Sequence, residues 1–190
     1  LGLLLFLFKS QLIETHSPYW ISLFLIIVLG TTDDRLDLSS ELKFFIQFAV
    51  SIYYIIMSGN HLDSLYGLFG VYELPYWLGL TLSIITVVYL INAVNLIDGA
   101  DGLAAGTSLL SLYLFSSILG GNHHLFSFAF LGLGLIIFMG FNFSKKNKIF
   151  LGDAGSLGLG FVLATMAMEF LHSENHHVEN LNLNPHITAI

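Results

Sequence analysis

The sequence predicts an all-α fold, a polytopic bundle of transmembrane helices, and three observations predict it. Hydrophobic residues make up 55% of the 190 positions and charged residues only 10%, against about 25% charged in ordinary soluble domains. Mean hydropathy is +0.80. The apolar residues come in uninterrupted runs, with none of the alternation that a β-barrel strand shows. Six Lys and Arg cannot build the basic footprint of a nucleic-acid-binding surface, so no nucleic-acid partner is expected. The absence of cysteine excludes disulfides and thiolate metal sites.

A helix needs about 20 mostly apolar residues to span a bilayer. The candidates, in order, are Leu1–Phe8, Tyr19–Gly30, Lys43–Ser58, Pro75–Ile91, Gly102–Leu119, Leu125–Phe143 and Ser156–Leu171, with a last one starting near His186. Several are short and are expected to borrow length from their flanks. The run at Leu1 has no Met and no basic flank, so it does not read as a signal peptide. Residues 1–190 are therefore expected to be one transmembrane domain truncated at both ends, a fragment of a longer multi-span protein.

Lys and Arg set the orientation. If Thr31–Leu42 is placed on one side, alternation brings Asn92–Asp101 and Ser144–Leu151 to the same side. That side collects Arg35, Lys43, Lys145, Lys146 and Lys148; the other holds only Lys9. The first side is therefore expected to be cytoplasmic. Lys145, Lys146 and Lys148 read as its anchors, and Tyr53, Tyr54, Tyr76 and Trp77 as interfacial aromatics. His123 and His124, and His172, His176 and His177, fall in loops on the opposite side, away from every carboxylate cluster.

Three polar clusters stand out, because ionisable groups at membrane depth are expensive and mark function. The first is Thr31-Thr32-Asp33-Asp34-Arg35-Leu36-Asp37. Adjacent carboxylates repel, which a shared cation or a Lys or Arg relieves. With oxygen ligands only, that cation would be a hard ion such as Mg²⁺ or Mn²⁺. Asp37 reads as a solvated residue at the entry to the next helix, which Ser39 or Ser40 would cap. The second cluster is Asn92-Ala93-Val94-Asn95-Leu96-Ile97-Asp98-Gly99-Ala100-Asp101-Gly102. Its Asn92, Asn95, Asp98 and Asp101 share one stripe if the helix persists. The third, Phe150-Leu151-Gly152-Asp153-Ala154-Gly155-Ser156, opens a helix whose N-terminal N–H groups suit a phosphate. Asp153 could hold a metal that bridges to it.

Asp-Asp after a helix, Asn-x-x-Asn-x-x-Asp-Gly-x-Asp-Gly-Leu and Phe-x-Gly-Asp-x-Gly-Ser, in that order, resemble the polyprenyl-phosphate N-acetylhexosamine-1-phosphate transferases, the glycosyltransferase family 4 type. The resemblance runs from about Tyr19 to the end. It implies transfer of a sugar 1-phosphate from a UDP-sugar to undecaprenyl or another polyprenyl phosphate at the cytoplasmic face of the inner membrane, with release of UMP and with Mg²⁺ or Mn²⁺ as cofactor. It implies Asp33, Asp34 and Asp153 as catalytic residues and Asp153 and Asp98 as metal ligands. Lys43, Asn95, Asp98, Asp101 and Phe150 would bind substrate, Lys43 by contacting a phosphate. Asp33-Asp34-Arg35-Leu36-Asp37-Leu38 looks like the UDP-N-acetylglucosamine branch. The peptidoglycan branch, the alternative, usually carries Lys at the position of Asp37. The resemblance also implies a Pro/Arg-containing loop upstream and a His-rich cytoplasmic loop downstream, neither found within these residues. Homodimerisation is left open. A transporter, a rival reading, would place its carboxylates near the bilayer centre and show an internal repeat; neither is visible.

Overall fold

The computed structural model describes residues 10–99, 102–120, 122–144 and 146–180. Six α-helices follow one another: α1 Ser10–Leu36, α2 Ser40–Ser58, α3 Tyr76–Ile97, α4 Leu103–Leu119, α5 Asn122–Asn142 and α6 Gly152–Asn180. A 3₁₀ turn at Leu68–Gly70 sits in the α2–α3 loop. No strand occurs among the described residues, as expected for an all-α membrane bundle. Three helical stretches, Ser40–Ser58, Tyr76–Ile97 and Gly152–His172, are long and apolar enough to cross a membrane, and the chain is a membrane protein. The runs expected at Leu1–Phe8 and near His186 lie outside the described residues.

Helix α6 is the centre of the bundle. Every residue from Ser156 to Met166 is buried, and α1, α3 and α4 pack around it. Lipid is as apolar as leucine, so helices associate in it by close packing, which small residues permit. Gly30 of α1 lies so near the start of α6 that a Cβ there would stand 2.5 Å from Ala154 Cα and from Asp153 O. Phe161 is fully buried, with the Tyr54 ring edge-on at 5.4 Å. Tyr54 is thus a core residue rather than an interfacial aromatic, whereas Tyr76 and Trp77 remain exposed.

Five helices outrun their expected limits, α2 by starting at Ser40 rather than Lys43, and in each polar residues are absorbed into the helix. Helix α1 begins at Ser10 and carries Pro18 inside it, where a loop was expected. At its other end Thr31 and Thr32 return their hydroxyls to Val28 O, at 2.9 and 2.7 Å, and the helix continues to Leu36. Helix α3 extends past Ile91 to Ile97 because Asn92 and Asn95 find side-chain partners. Helix α5 starts at Asn122 and so takes in His123 and His124. Helix α6 runs to Asn180, so His172, His176 and His177 are helical. His172 Nδ1 faces Asp63 at 3.8 Å, at the end opposite the carboxylate clusters.

Candidate functional site

Consecutive helical residues point about 100° apart, and this separates the roles of Asp33 and Asp34 at the end of α1. Asp33 turns inward and is almost fully buried. Its Oδ2 lies 2.7 Å from Lys43 Nζ, and its Oδ1 accepts the Leu38 N–H at 2.9 Å. Burial pushes this carboxyl up. Hydrogen bonding to Asp153, Lys43 and the Leu38 amide outweighs that and holds it below the ordinary carboxylate range. Lys43 is the counter-ion of Asp33 alone.

Asp34 turns the other way. Its Oδ1 accepts the Asp153 N–H at 2.8 Å and its Oδ2 the Ala154 N–H at 3.1 Å. The helix N-terminus expected to receive a phosphate is therefore already capped by a carboxylate, which the same N–H groups and the same dipole attract. Asp37 does not cap α2. It ends α1 in the left-handed region, with φ 50°, and returns its N–H to Asp33 O at 2.9 Å. Ser39 caps α2, its hydroxyl accepting from Leu42 N.

The second and third clusters meet across α3 and α6. Asn95 Nδ2 donates to Asp153 Oδ1 at 2.6 Å and to Ser156 Oγ at 2.8 Å. Asp98 stands at the C-terminus of α3. Burial pushes its carboxyl up, the Leu151 and Gly152 amides oppose this, and the Asp34 charge adds to the rise. Asp101 lies outside the described residues. Gly102 has φ 69°, and a Cβ there would meet the Phe143 ring at 2.2 Å, so only glycine fits. Phe150 is exposed, its ring 5.1 Å from Lys148 Nζ.

Asp33, Asp34, Lys43, Asn95, Asp98 and Asp153 thus gather at one end of the bundle, from four stretches of chain. Asp33, Lys43, Asn95 and Asp153 line a cavity of about 210 Å³. On the other side of the α1–α2 hairpin an apolar groove of about 410 Å³ runs past Leu25, Leu29, Phe45, Val50 and Tyr53. Two residues of this site escaped sequence reasoning. Gln47 is buried beside the cavity; its signal was a lone amide in the apolar run after Lys43. Asn142, also buried, accepts the Gly102 N–H at 2.7 Å and donates to Ile149 O at 2.8 Å. A single Asn at a helix end gave no signal.

Among the described residues no three His, Asp or Glu side chains close on one point as a metal cage would. The Asp33 and Asp153 carboxyls nevertheless lie close enough to perturb each other, and two ionised carboxylates at such range repel unless a proton or cation sits between them. Mg²⁺ is commonly held by one or two carboxylates plus substrate phosphates rather than by an all-protein cage. The donor set fits such an ion.

The model of glycosyl transferase family 4 matches residues 17–171. The chain belongs to glycosyl transferase family 4. This family 4 chain is 38% identical, over 150 residues, to a Bacillus subtilis (strain 168) protein named probable undecaprenyl-phosphate N-acetylglucosaminyl 1-phosphate transferase, covering 76% of this chain and 41% of that one. It is 32% identical, over 162 residues, to the undecaprenyl-phosphate alpha-N-acetylglucosaminyl 1-phosphate transferase of Escherichia coli (strain K12), covering 80% and 44%. A phospho-N-acetylmuramoyl-pentapeptide-transferase of Staphylococcus carnosus (strain TM300) is 30% identical over 177 residues, covering 82% and 54%. The family 4 chain spans about half the length of these curated relatives. No solved structure matches it.

Proposed function

We propose that the full-length protein transfers GlcNAc 1-phosphate from UDP-GlcNAc to undecaprenyl or another polyprenyl phosphate, releasing UMP, and so starts a cell-envelope polysaccharide. The reaction takes place at the cytoplasmic face of the inner membrane. The observation that carries this reading is the pairing of two cavities around the α1–α2 hairpin. An apolar groove lined by α1 and α2 lies across that hairpin from a polar cavity lined by Lys43, Asp33, Asn95 and Asp153. A lipid phosphate needs both environments at once, an alkyl-lined groove for its tail and a cation for its head. Two relatives carry undecaprenyl phosphate and an N-acetylglucosaminyl 1-phosphate in their names, which supports the same assignment.

In the reaction, an oxygen of the lipid phosphate bonds to the sugar-bearing phosphorus of the donor. The bond from that phosphorus to the bridging oxygen breaks, and the bridging oxygen leaves with UMP. Lys43 faces the lipid phosphate, and Asp33 fixes the ammonium in place. Asn95, Asp98 and Asp101 take the nucleotide side, with Phe150 at its rim. Asp153 and Asp98 would hold Mg²⁺ or Mn²⁺, and such an ion would supply positive charge to the diphosphate. Asp34 keeps the start of α6, and with it Asp153, in position.

The test uses the full-length parent in detergent or vesicles with labelled UDP-GlcNAc and polyprenyl phosphate. Label is expected in the lipid fraction and UMP in the water phase, both lost with EDTA and restored by Mg²⁺. Transfer unaffected by EDTA removes the metal from the scheme. The Staphylococcus carnosus relative motivates a second donor, UDP-MurNAc-pentapeptide; faster transfer from it moves the protein to the peptidoglycan branch.

A further inference from the structure

Beneath the site, two side-chain amides meet in an otherwise apolar layer. Asn92 Nδ2 donates to Gln47 Oε1 at 2.5 Å, and Gln47 Nε2 donates back to Asn92 Oδ1 at 3.5 Å. Asn92 Nδ2 also reaches Val88 O at 2.7 Å, which locks the side chain to its own helix. Gln47 is only 1% exposed. Both residues line the polar cavity.

Their places on the helices give the pair its meaning. On α2, Gln47 lies one turn from Lys43, the cation held on Asp33. On α3, Asn92 lies one turn from Asn95, the amide held on Asp153 and Ser156. The pair thus ties the helix bearing one wall of the cavity to the helix bearing the other. A polar pair in an apolar layer is selective about register, because a slip of either helix leaves amides without partners.

We propose that Gln47 and Asn92 are positioning residues: their amide clasp fixes α2 against α3, and so sets the spacing between Lys43–Asp33 and Asn95–Asp153. The proposal rests on the reaction assigned above. Two substrates have to be brought into line across this cavity, and misplacing reacting groups by about 1 Å costs on the order of a hundredfold in rate. Loosening the clasp therefore lowers kcat more than it weakens binding.

The test separates positioning from folding. Gln47→Leu and Asn92→Leu each strand one amide, whereas the double Leu variant strands none. The double swap, Gln47→Asn with Asn92→Gln, keeps both amides and their combined reach. All are made in the full-length parent and assayed for thermal stability, kcat and KM for both substrates. Each single variant is expected to lose stability. The double Leu variant is expected to recover stability while kcat stays down by about tenfold or more, with KM moving less than about threefold. The double swap is expected to regain most of kcat. Spin labels on cysteines at the exposed positions 45 and 96 report the α2–α3 distance without any turnover, and the double Leu variant is expected to broaden it. If the double Leu variant regains kcat together with stability, or its label distance matches the parent's, the clasp is ordinary packing and the proposal is overturned. An unsubstituted parent that releases no UMP overturns the assigned reaction instead, and the label distances then judge the clasp by themselves.

Discussion

Replacing Lys43 with Met removes the cation from a buried carboxylate and leaves the alkyl stem. The Asp33 side chain is 2% exposed and lies 2.7 Å from the Lys43 ammonium, whose side chain is 28% exposed. At an effective dielectric constant of about 20 the gross attraction is about 6 kcal/mol. Desolvation offsets much of it, and removing one partner of a buried pair costs about 3–5 kcal/mol. Lys43 is partly exposed, and Asp33 keeps the Leu38 amide, so the loss falls below that range, at about 2–3 kcal/mol. In the parent the Asp33 carboxyl is held below its ordinary range, so its stabilisation is present above that range and disappears only as pH falls through the lowered value. In Lys43→Met the carboxyl faces Asp153 without a counter-ion and its pKa rises. The variant's deficit is then largest at neutral pH and shrinks as acid protonates Asp33. The assay is the thermal midpoint of the full-length parent and the variant in detergent, from pH 8 down toward 4. A deficit that does not change with pH, or no deficit at pH 7, refutes the reasoning.

Three further outcomes follow from the same geometry. Asp34→Ala removes both acceptors at the start of α6 and is expected to cost about 1–2 kcal/mol of stability, with Asp34→Asn milder in the same melting assay; an Asp34→Ala variant that melts with the parent but has lost transfer makes Asp34 a reacting group rather than a cap. Asp153→Asn is expected to lower kcat on the order of a thousandfold or more, whereas Asp37→Asn, at a left-handed position that Asn tolerates well, stays within about tenfold in a side-by-side UMP-release assay; equal losses contradict the site assignment. Gly30→Ala puts a Cβ against the backbone of Asp153 and Ala154, forces α1 and α6 apart by about 1 Å, and is expected to reduce transfer roughly tenfold to a hundredfold, measured at matched folded protein.

What the sequence revealed and what it hid follow from the range of each interaction. Apolar runs act through the bilayer, which treats each segment separately, so the helices could be read from local composition. The ends of α1, α3 and α6 could not, because Thr31, Asn92, Asn95 and Asp153 remain helical only through partners: a carbonyl one turn back, or a side chain on another helix. A polar residue beyond an apolar run reads as a loop until its partner is known. Gln47 shows the same limit in reverse. It stands alone in an apolar run, and its relation to Asn92 crosses 45 residues of chain.

Asp33 and Asp34 press the point furthest. As a dipeptide they read as one acidic unit sharing one cation. Successive positions on a helix cannot face one partner, however, and the end of α1 turns one carboxylate to Lys43 and the other to the start of α6. The two divide the work: Asp33 fixes the cation of α2, and Asp34 fixes the helix that carries Asp153. Because Asp33 and Asp153 line the same cavity, moving either helix end changes the spacing of both carboxylates. Clustering acidic residues at helix ends, rather than in a loop, thus makes the site's geometry inseparable from the packing of α1 against α6, and Gly30 lets that packing close.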